Sequence, residues 1–428
     1  MSDSVRKVMR PAVLLTATTW WPLSARLAVR FIHHGCNVSA LCPRGHALQQ
    51  VSGVGAIYPY LGRDSAAALK RAIVTAAPDF IIPCDDRAVW QLHDLYGTEP
   101  GLRDVLGRSL GAAQHFETLR SRVRFLEVSQ QLGVRVPRTA SVGSEHEIQA
   151  WFTTFPGAAV MKLDGTSGGH GVEIVRNLEQ ALAAWRRFTK PAPIGLSWKR
   201  WIINRDPLAF WRAGKHTACV SVQEYVPGQA ANAMLACWDG EVLGMVSAEV
   251  LNAQGTTGAS TIVRIVQNAE IEHVARTIAQ SLGLSGFFGL DFILRQESKA
   301  PFLIELNARC TQLGHLVLPE KGDLVSLICA KLGAGPARKP DAAIQSDVVA
   351  FFPQALIWSS DSPHLATATH DVPWGEPRLL RELLLDPWPD RIWLTRLYHR
   401  FRRGPQEPPR KLEDYLRQMG EPSDASHG

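Results

Sequence analysis

The chain is poor in the features that mark extracellular, membrane or fibrous proteins. Its seven cysteines are scattered from Cys36 to Cys329, and no two have Cys-x-x-Cys spacing. An odd set without paired spacing excludes a disulfide framework and offers no zinc-ligand pattern, so reduced thiols in a cytosol are expected. Charge is sparse: 20% of residues are Asp, Glu, Lys or Arg, against 46% hydrophobic residues, which excludes a disordered, solvated chain. No apolar run approaches the length of a membrane span. The opening MSDSVRKVMR-PAVLLTATTWW places positive charge before an apolar run, as a signal peptide does. That run is short, is broken by Thr, and leads into a second strand-like pattern instead of a small-residue cleavage site, so it reads as a first buried strand. No internal repeat is visible. What is present is 428 residues, enough for two or three domains, and a net charge of +6. That balance favours anionic partners such as nucleotides or acidic metabolites and does not demand nucleic acid.

The first 115 residues alternate in the manner of a parallel βαβ unit. Ala12 to Ala17 is a strand-length apolar run, Leu23 to His34 an amphipathic helix stopped by Gly35, and Asn37 to Leu41 a second strand. Helical spacing returns over Ser65 to Thr75, before the strand Phe80 to Pro83. Asp85 and Asp86 follow that strand directly, where open parallel sheets gather ligands; they are also well placed to cap a helix starting near Arg87. A second unit runs from 116 to 335. It opens with a helix over Leu119 to Leu132 that ends at Gly133, and from 158 to 230 it breaks into short strands with glycine-rich turns. Residues 190–217, which mix Trp198, Trp201 and Trp211 with Lys and Arg, read as an insert. A third region, 336–428, holds proline breaks, a basic amphipathic stretch from Arg391 to Arg403 and a polar end after Gly420 expected to be disordered.

Three stretches could carry chemistry. Val160-Met161-Lys162-Leu163 leads into Asp164-Gly165-Thr166-Ser167-Gly168-Gly169-His170-Gly171. Successive glycines let backbone N–H groups converge on an anion. A strand, Val172 to Val175, follows instead of a helix, which excludes a P-loop or a Rossmann turn. The loop is then either a plain hairpin or a flap over phosphates, with Lys162 as a point charge beneath it. Gln223-Glu224-Tyr225-Val226-Pro227-Gly228 is a strand stopped at Pro-Gly, whose free backbone could pair with an adenine edge. Finally, Gly289 to Leu294 and Pro301 to Ala308 read as two strands of a hairpin centred on Ser298, which sets Asp291 opposite Glu305. Glu305, Asn307 and Arg309 share one face, and Ile304, Leu306 and Ala308 the other. Two facing carboxylates repel unless something positive sits between them, and two carboxylates with an amide suit magnesium. A solvated face with an Arg–Glu pair has the same pattern.

Taken in this order, the residues over about 10 to 330 resemble the ATP-grasp superfamily of ATP-dependent carboxylate ligases. The resemblance implies an α/β protein: an N-terminal pre-ATP-grasp domain, a two-subdomain α+β ATP-grasp domain and a C-terminal extension. It implies ATP as cofactor, bound by Arg122, Lys162, the flap residues Thr166, Ser167, Gly168, Gly169 and Gly171, and the hinge residues Glu224 and Val226. It implies Mg2+, with Mn2+ as a substitute, on Asp291, Glu305 and Asn307, and catalytic cations at Arg309 and Arg264. Two positions depart from the family pattern: Leu163 stands where a proline is common after the lysine, and Gln229-Ala230-Ala231-Asn232 lacks the acidic ribose ligand. The implied reaction is ADP-forming: a carboxylate becomes an acyl phosphate that an amine attacks, and the partners are then a small carboxylic acid and an amine in the cytoplasm, with no nucleic acid. Thr18, Thr19, Trp20, Trp21, Asp85, Asp86 and His315 are candidates to line the substrate pocket. Two other readings stay open: bicarbonate activation, as in biotin-dependent carboxylases or carbamoyl phosphate synthases, and a nucleotide-binding module without catalysis that uses the Arg391 to Arg403 stretch at a membrane surface.

Overall fold

The computed structural model describes residues 10–62, 65–164, 171–190, 219–319, 322–334, 343–385 and 391. All of the expected insert at 190–217 except Lys190, most of the glycine-rich loop and nearly all of the basic C-terminal stretch lie outside them. Three sheets organise the described chain.

The N-terminal sheet is parallel, in the order β3 (Val54–Pro59), β2 (Asn37–Cys42), β1 (Ala12–Thr16), β4 (Phe80–Pro83). β1 is central and almost wholly apolar because helices cover both its faces. The helix Leu23–His33 buries Leu23, Leu27, Ala28 and Phe31, one stripe at helical spacing, and Gly35 at φ +80° lets the chain turn into β2. After β4, Asp85 caps the helix Asp86–Thr98 by accepting from the Ala88 N–H at 3.0 Å. Asp85 also accepts from the Thr18 N–H (2.6 Å) and hydroxyl (2.7 Å), tying the loops after β1 and β4 together. The capping reading of Asp85 therefore holds. The helix expected over Leu119 to Leu132 is two helices, Phe116–Arg120 and Arg122–Gln131. Ser121, in extended conformation, caps the second through the Arg124 N–H, which makes Arg122 its first residue.

The second sheet is four-stranded and antiparallel: β5 (Thr139–Val142), β8 (Val220–Glu224), β6 (Ala159–Leu163), β7 (Val172–Val175). It begins earlier than the expected 158, because β5 pairs with β8. With the helices Glu145–Thr154 and Leu178–Thr189 it closes over a core of its own, including Val142, Ile148, Met161, Ala181 and Val222.

The third sheet has seven strands in the order β13 (Pro301–Asn307), β12 (Gly286–Arg295), β9 (Gly228–Trp238), β10 (Glu241–Ala253), β11 (Ser260–Val266), β14 (Val348–Ala350), β15 (Thr369–His370). The last two strands come from the region expected to be a separate extension; the apolar run Val348-Val349-Ala350 completes the sheet by pairing with β11. One face of this sheet packs on the helix Ala269–Leu282 through Ala233, Leu235, Phe288 and Leu290. The other shares a core with the N-terminal domain, where Phe31 meets Phe287 edge-on at 6.2 Å.

Candidate functional site

The site forms where the carboxyl end of β4, the start of the helix Arg122–Gln131, the end of β6 and the β12–β13 hairpin converge. Asp291 and Glu305 are direct partners across the hairpin, as the spacing implies. The route differs from the expected one. Leu294 pairs with Pro301 and Phe292 with Leu303, so the turn is centred ahead of Ser298; a bulge at Ile304 then brings Glu305 opposite Asp291.

Each Asp291 oxygen accepts one amide: Asn232 Nδ2 at 2.6 Å and Asn307 Nδ2 at 3.0 Å. Withdrawal from water, with the neighbouring Glu305 charge, still pushes the Asp291 carboxyl up to about 6. Burial would raise Glu305 as well, but Arg122 and Lys162 reverse this and hold it below its ordinary value. Arg122 bridges two carboxylates, Asp164 at 2.6 Å and Glu305 at 2.8 Å, and those charges outweigh its desolvation. Lys162 is buried, at 4% exposure. Burial pushes its ammonium down to about 8, with Glu305 pulling upward and Arg122 adding to the fall. Arg309 donates to Asp86 at 2.8 Å and to Asn307 Oδ1 at 3.3 Å.

The structure therefore brings together Arg122, Lys162, Asp291, Glu305, Asn307 and Arg309 from four separate stretches. Thr166, Ser167, Gly168 and Gly169 lie outside the described residues. Gly171 closes their loop at φ +74°, its carbonyl accepting from the Leu163 N–H at 2.8 Å, so the loop does join two antiparallel strands. Glu224 ends β8 and Val226 is buried in the link to β9, which is the covalent hinge between the four-stranded and seven-stranded sheets. The Glu224 N–H still pairs with the Arg138 carbonyl (2.8 Å) and the Tyr225 N–H with that of Ala158 (3.2 Å), so Val226 is the first residue beyond the lid pairing. At Gly228 a Cβ would lie 2.1 Å from the Leu294 carbonyl oxygen, so only glycine lets β9 start this close to β12.

Arg264 is a correction. Along the sheet, Asp291 pairs with Asn232, Asn232 with Ala248 and Ala248 with Ile265. Alternation then puts Ile265 on the Asp291 face and Arg264 on the other, where its charge partner is Asp347 at 3.7 Å. Three residues of the cluster escape the sequence reading in these roles: Asn232, Asp164 and, as the partner of Arg309, Asp86. Asn232 becomes visible only through the β9–β12 pairing, which joins residues 59 apart.

Among the described residues no group of three His, Cys, Asp or Glu side chains gathers as a metal site. The donor set here is two carboxylates and amides, and it suits a hard divalent cation. Asp291 and Glu305 face each other, and Asn232 Oδ1 is buried without a hydrogen-bond partner. A cation on Asp291, Glu305 and Asn307 would relieve the repulsion that raises Asp291.

A carboxylate-bearing hairpin facing a small antiparallel lid across a hinge defines the ATP-grasp class of fold. Residues 208–312 match the family model described as the ATP-grasp domain, and the chain has the fold of that class. No curated protein sequence matches it. Among solved structures, it is similar to N5-carboxyaminoimidazole synthetase from Staphylococcus aureus complexed with ADP (16% identity, TM-score 0.55, 77% of this chain and 80% of that chain). It is also similar to biotin carboxylase from Campylobacter jejuni in a β-γ-ATP complex (13% identity, TM-score 0.54, 77% and 72%). A third similar structure is the biotin carboxylase domain of 2-oxoglutarate carboxylase from Hydrogenobacter thermophilus with MgADP, ADP and bicarbonate (14% identity, TM-score 0.53, 78% and 72%).

Proposed function

We propose that the protein is an ADP-forming ligase that activates a substrate carboxylate with ATP and passes the acyl group to an amine. The observation that carries this reading is the buried Lys162 and the Arg122 bridge set against the Asp291–Glu305 pair. Two anions, a carboxylate and a triphosphate, can meet there because fixed cations offset their repulsion. Lys162, already desolvated, gains from any phosphate oxygen placed beside it. Arg122 sits at the first turn of its helix and holds the lid carboxylate Asp164 and the base carboxylate Glu305 at once, so nucleotide binding must exchange one of these bonds for a phosphate. Magnesium held by Asp291, Glu305 and Asn307 would neutralise phosphate charge and orient the terminal group.

The substrate carboxylate oxygen bonds to the γ-phosphorus as the bond to the bridging oxygen breaks, and ADP leaves with that electron pair. The amine then attacks the acyl carbon, phosphate departs with the C–O electron pair, and the nitrogen gives up a proton. Arg309, fixed by Asp86, stands beside Asn307 to stabilise the oxyanion charge that develops. Closure of the lid on its hinge keeps water from the acyl phosphate. The reactants are a small carboxylic acid and an amine, and the setting is the cytoplasm; among the described residues no helix is long and apolar enough to cross a membrane.

Bicarbonate is the second reading for the acid, favoured by the carboxylase and carboxyaminoimidazole synthetase folds to which the chain is similar. The test is ADP release by purified protein with MgATP, first against pooled carboxylic acids and amines, then with bicarbonate alone. Release that needs an organic acid supports the ligase; release with bicarbonate alone moves the assignment to the second reading; release with neither contradicts both.

A further inference from the structure

Two thiols from distant parts of the chain touch in the core that the N-terminal domain shares with the seven-stranded sheet. Cys36 lies in the turn between the helix Leu23–His33 and β2, and Cys329 lies in the helix Leu324–Lys331, which packs on β9 and β10. Their sulfurs are 3.5 Å apart, although 293 positions separate the residues. Both are buried in the same core, at 6% and 2% exposure. The two helices are pinned together close to the pair. Asp323 caps the helix Leu324–Lys331 by accepting from the Ser326 N–H at 2.7 Å, meets His34 Nε2 at 2.9 Å and pairs with Arg30. The surrounding fold therefore holds the two sulfurs side by side.

Buried cysteines commonly serve as small apolar residues, and the others here have no sulfur neighbour of this kind. Cys42 accepts from the Gln49 amide, Cys84 donates to the Ile82 carbonyl and Cys310 to that of Thr311. Among the described residues no group of three His, Cys, Asp or Glu side chains gathers as a metal site, so the pair is not half of a zinc cluster. The movement needed to join the sulfurs is small. A disulfide sets them about 2.05 Å apart, so they must close by about 1.5 Å. Cys36 stands outside both of its flanking elements, and Gly35 before it, at φ +80° with open space beside it, lets that turn adjust. Donation from the Cys329 S–H holds the Cys36 thiol below its ordinary pKa against the opposing effect of burial, and Cys36 is also the more accessible of the two.

From this we infer that Cys36 and Cys329 form a reversible disulfide that clasps the N-terminal domain to the seven-stranded sheet, with hydrogen peroxide as the oxidant. The Cys36 sulfur attacks one peroxide oxygen, the O–O bond breaks, and the departing hydroxide takes up the thiol proton, giving a sulfenic acid and one water. The Cys329 sulfur then attacks the Cys36 sulfur, the S–O bond breaks, and hydroxide leaves with the Cys329 proton as a second water. Two thiols are oxidised and one peroxide is reduced; a dithiol reductant restores the pair by exchange. The link closes a loop across 293 positions, and restriction of the unfolded chain grows with loop length, so the oxidised form is the more stable. The inference is independent of the ligase reading.

The test uses the full-length protein, reduced with dithiothreitol, freed of it and exposed while folded to a small excess of hydrogen peroxide. Free thiols are then alkylated in denaturant, and the protein is digested without reduction for mass spectrometry. The wild type is expected to lose two of its seven alkylatable thiols, to yield a linked Cys36–Cys329 peptide, and to regain both thiols with dithiothreitol. Its thermal midpoint is expected to rise by about 5 °C on oxidation. Cys329→Ser is expected to stop at a sulfenic acid on Cys36, trapped by dimedone, with no rise in midpoint; circular dichroism checks that this variant is folded. Oxidation confined to the exposed Cys219, with Cys36 and Cys329 still alkylatable, overturns the assignment. So does a linked peptide that forms only when the protein is unfolded before oxidation. A linked wild type with an unchanged midpoint overturns the clasp.

Discussion

The four-stranded and seven-stranded sheets that meet at the hinge treat charge in opposite ways. The seven-stranded sheet shares a core with the N-terminal domain and carries its carboxylates in a fixed hydrogen-bond network, with Asp291 held by two amides and Arg309 by Asp86. The four-stranded sheet has a core of its own, is joined covalently through Glu224 to Gly228, and brings one buried cation, Lys162, with a glycine-rich loop beyond it. On the proposed reading, an acid-bearing base and a separately packed, cation-bearing lid would together grip a polyphosphate, whose charge would meet the cations held between them. Arg122 joins the halves, since its two partners belong one to each.

The comparison can be broken most severely at the base. Glu305→Gln keeps the shape of the hairpin while removing a charge that both Arg122 and Lys162 use, and steady-state ADP release should fall by about 10²-fold or more with the cooperative unfolding transition retained. On the lid, Lys162→Met should lower turnover by a similar order, since burial has already prepared this site for an uncharged stem. Arg309→Ala is expected to cost more in turnover than Arg264→Ala; equal losses would mean that β11 contributes to the reacting centre despite its register. Asp164→Asn should cost less, about tenfold, and mainly in the apparent affinity for ATP, because only one arm of the Arg122 bridge is weakened.

The smallest effect concerns stability and pH, and it tests the N-terminal domain. Burial pushes His46 down to about 4 from an ordinary 6.5. A histidine whose folded pKa lies below its unfolded value takes up its proton preferentially in the unfolded chain. Stability is therefore unaffected above pH 6.5 and declines as pH falls from 6.5 towards 4. His46 also caps a short turn by accepting from the Leu48 N–H at 3.0 Å, so His46→Asn keeps a cap while removing the titration. Denaturant midpoints measured from pH 8 to pH 4.5 should fall less steeply in this variant than in the wild type.

Much of this was legible in the sequence because it is local. The alternation along β13, the helix stripe from Leu23 to Phe31 and the glycines after Lys162 each express a periodicity or a backbone need within a dozen residues. The Asp291–Glu305 pairing was also readable, although through a turn and a bulge that offset each other. What was not legible is long-range pairing. Asn232 gains its role only when β9 lies beside β12, and Arg264 loses its expected role because the face it presents is set by register across three strands. Asp164 is legible as the first residue of the glycine-rich loop but not as the partner of Arg122, which is 42 residues away. The strands β14 and β15 were missed because so few apolar residues, taken alone, cannot be told from a loop.

The most direct measurement of the central claim is titration of MgATP into wild-type protein and into Glu305→Gln, with ADP release followed in the same samples against the pooled acids and amines. The charge-grip account predicts magnesium-dependent nucleotide binding in the wild type, acid-dependent ADP release, and loss of both the magnesium dependence and the release in the variant. Nucleotide binding that is indifferent to magnesium in the wild type, or ADP release that survives in Glu305→Gln, would contradict it.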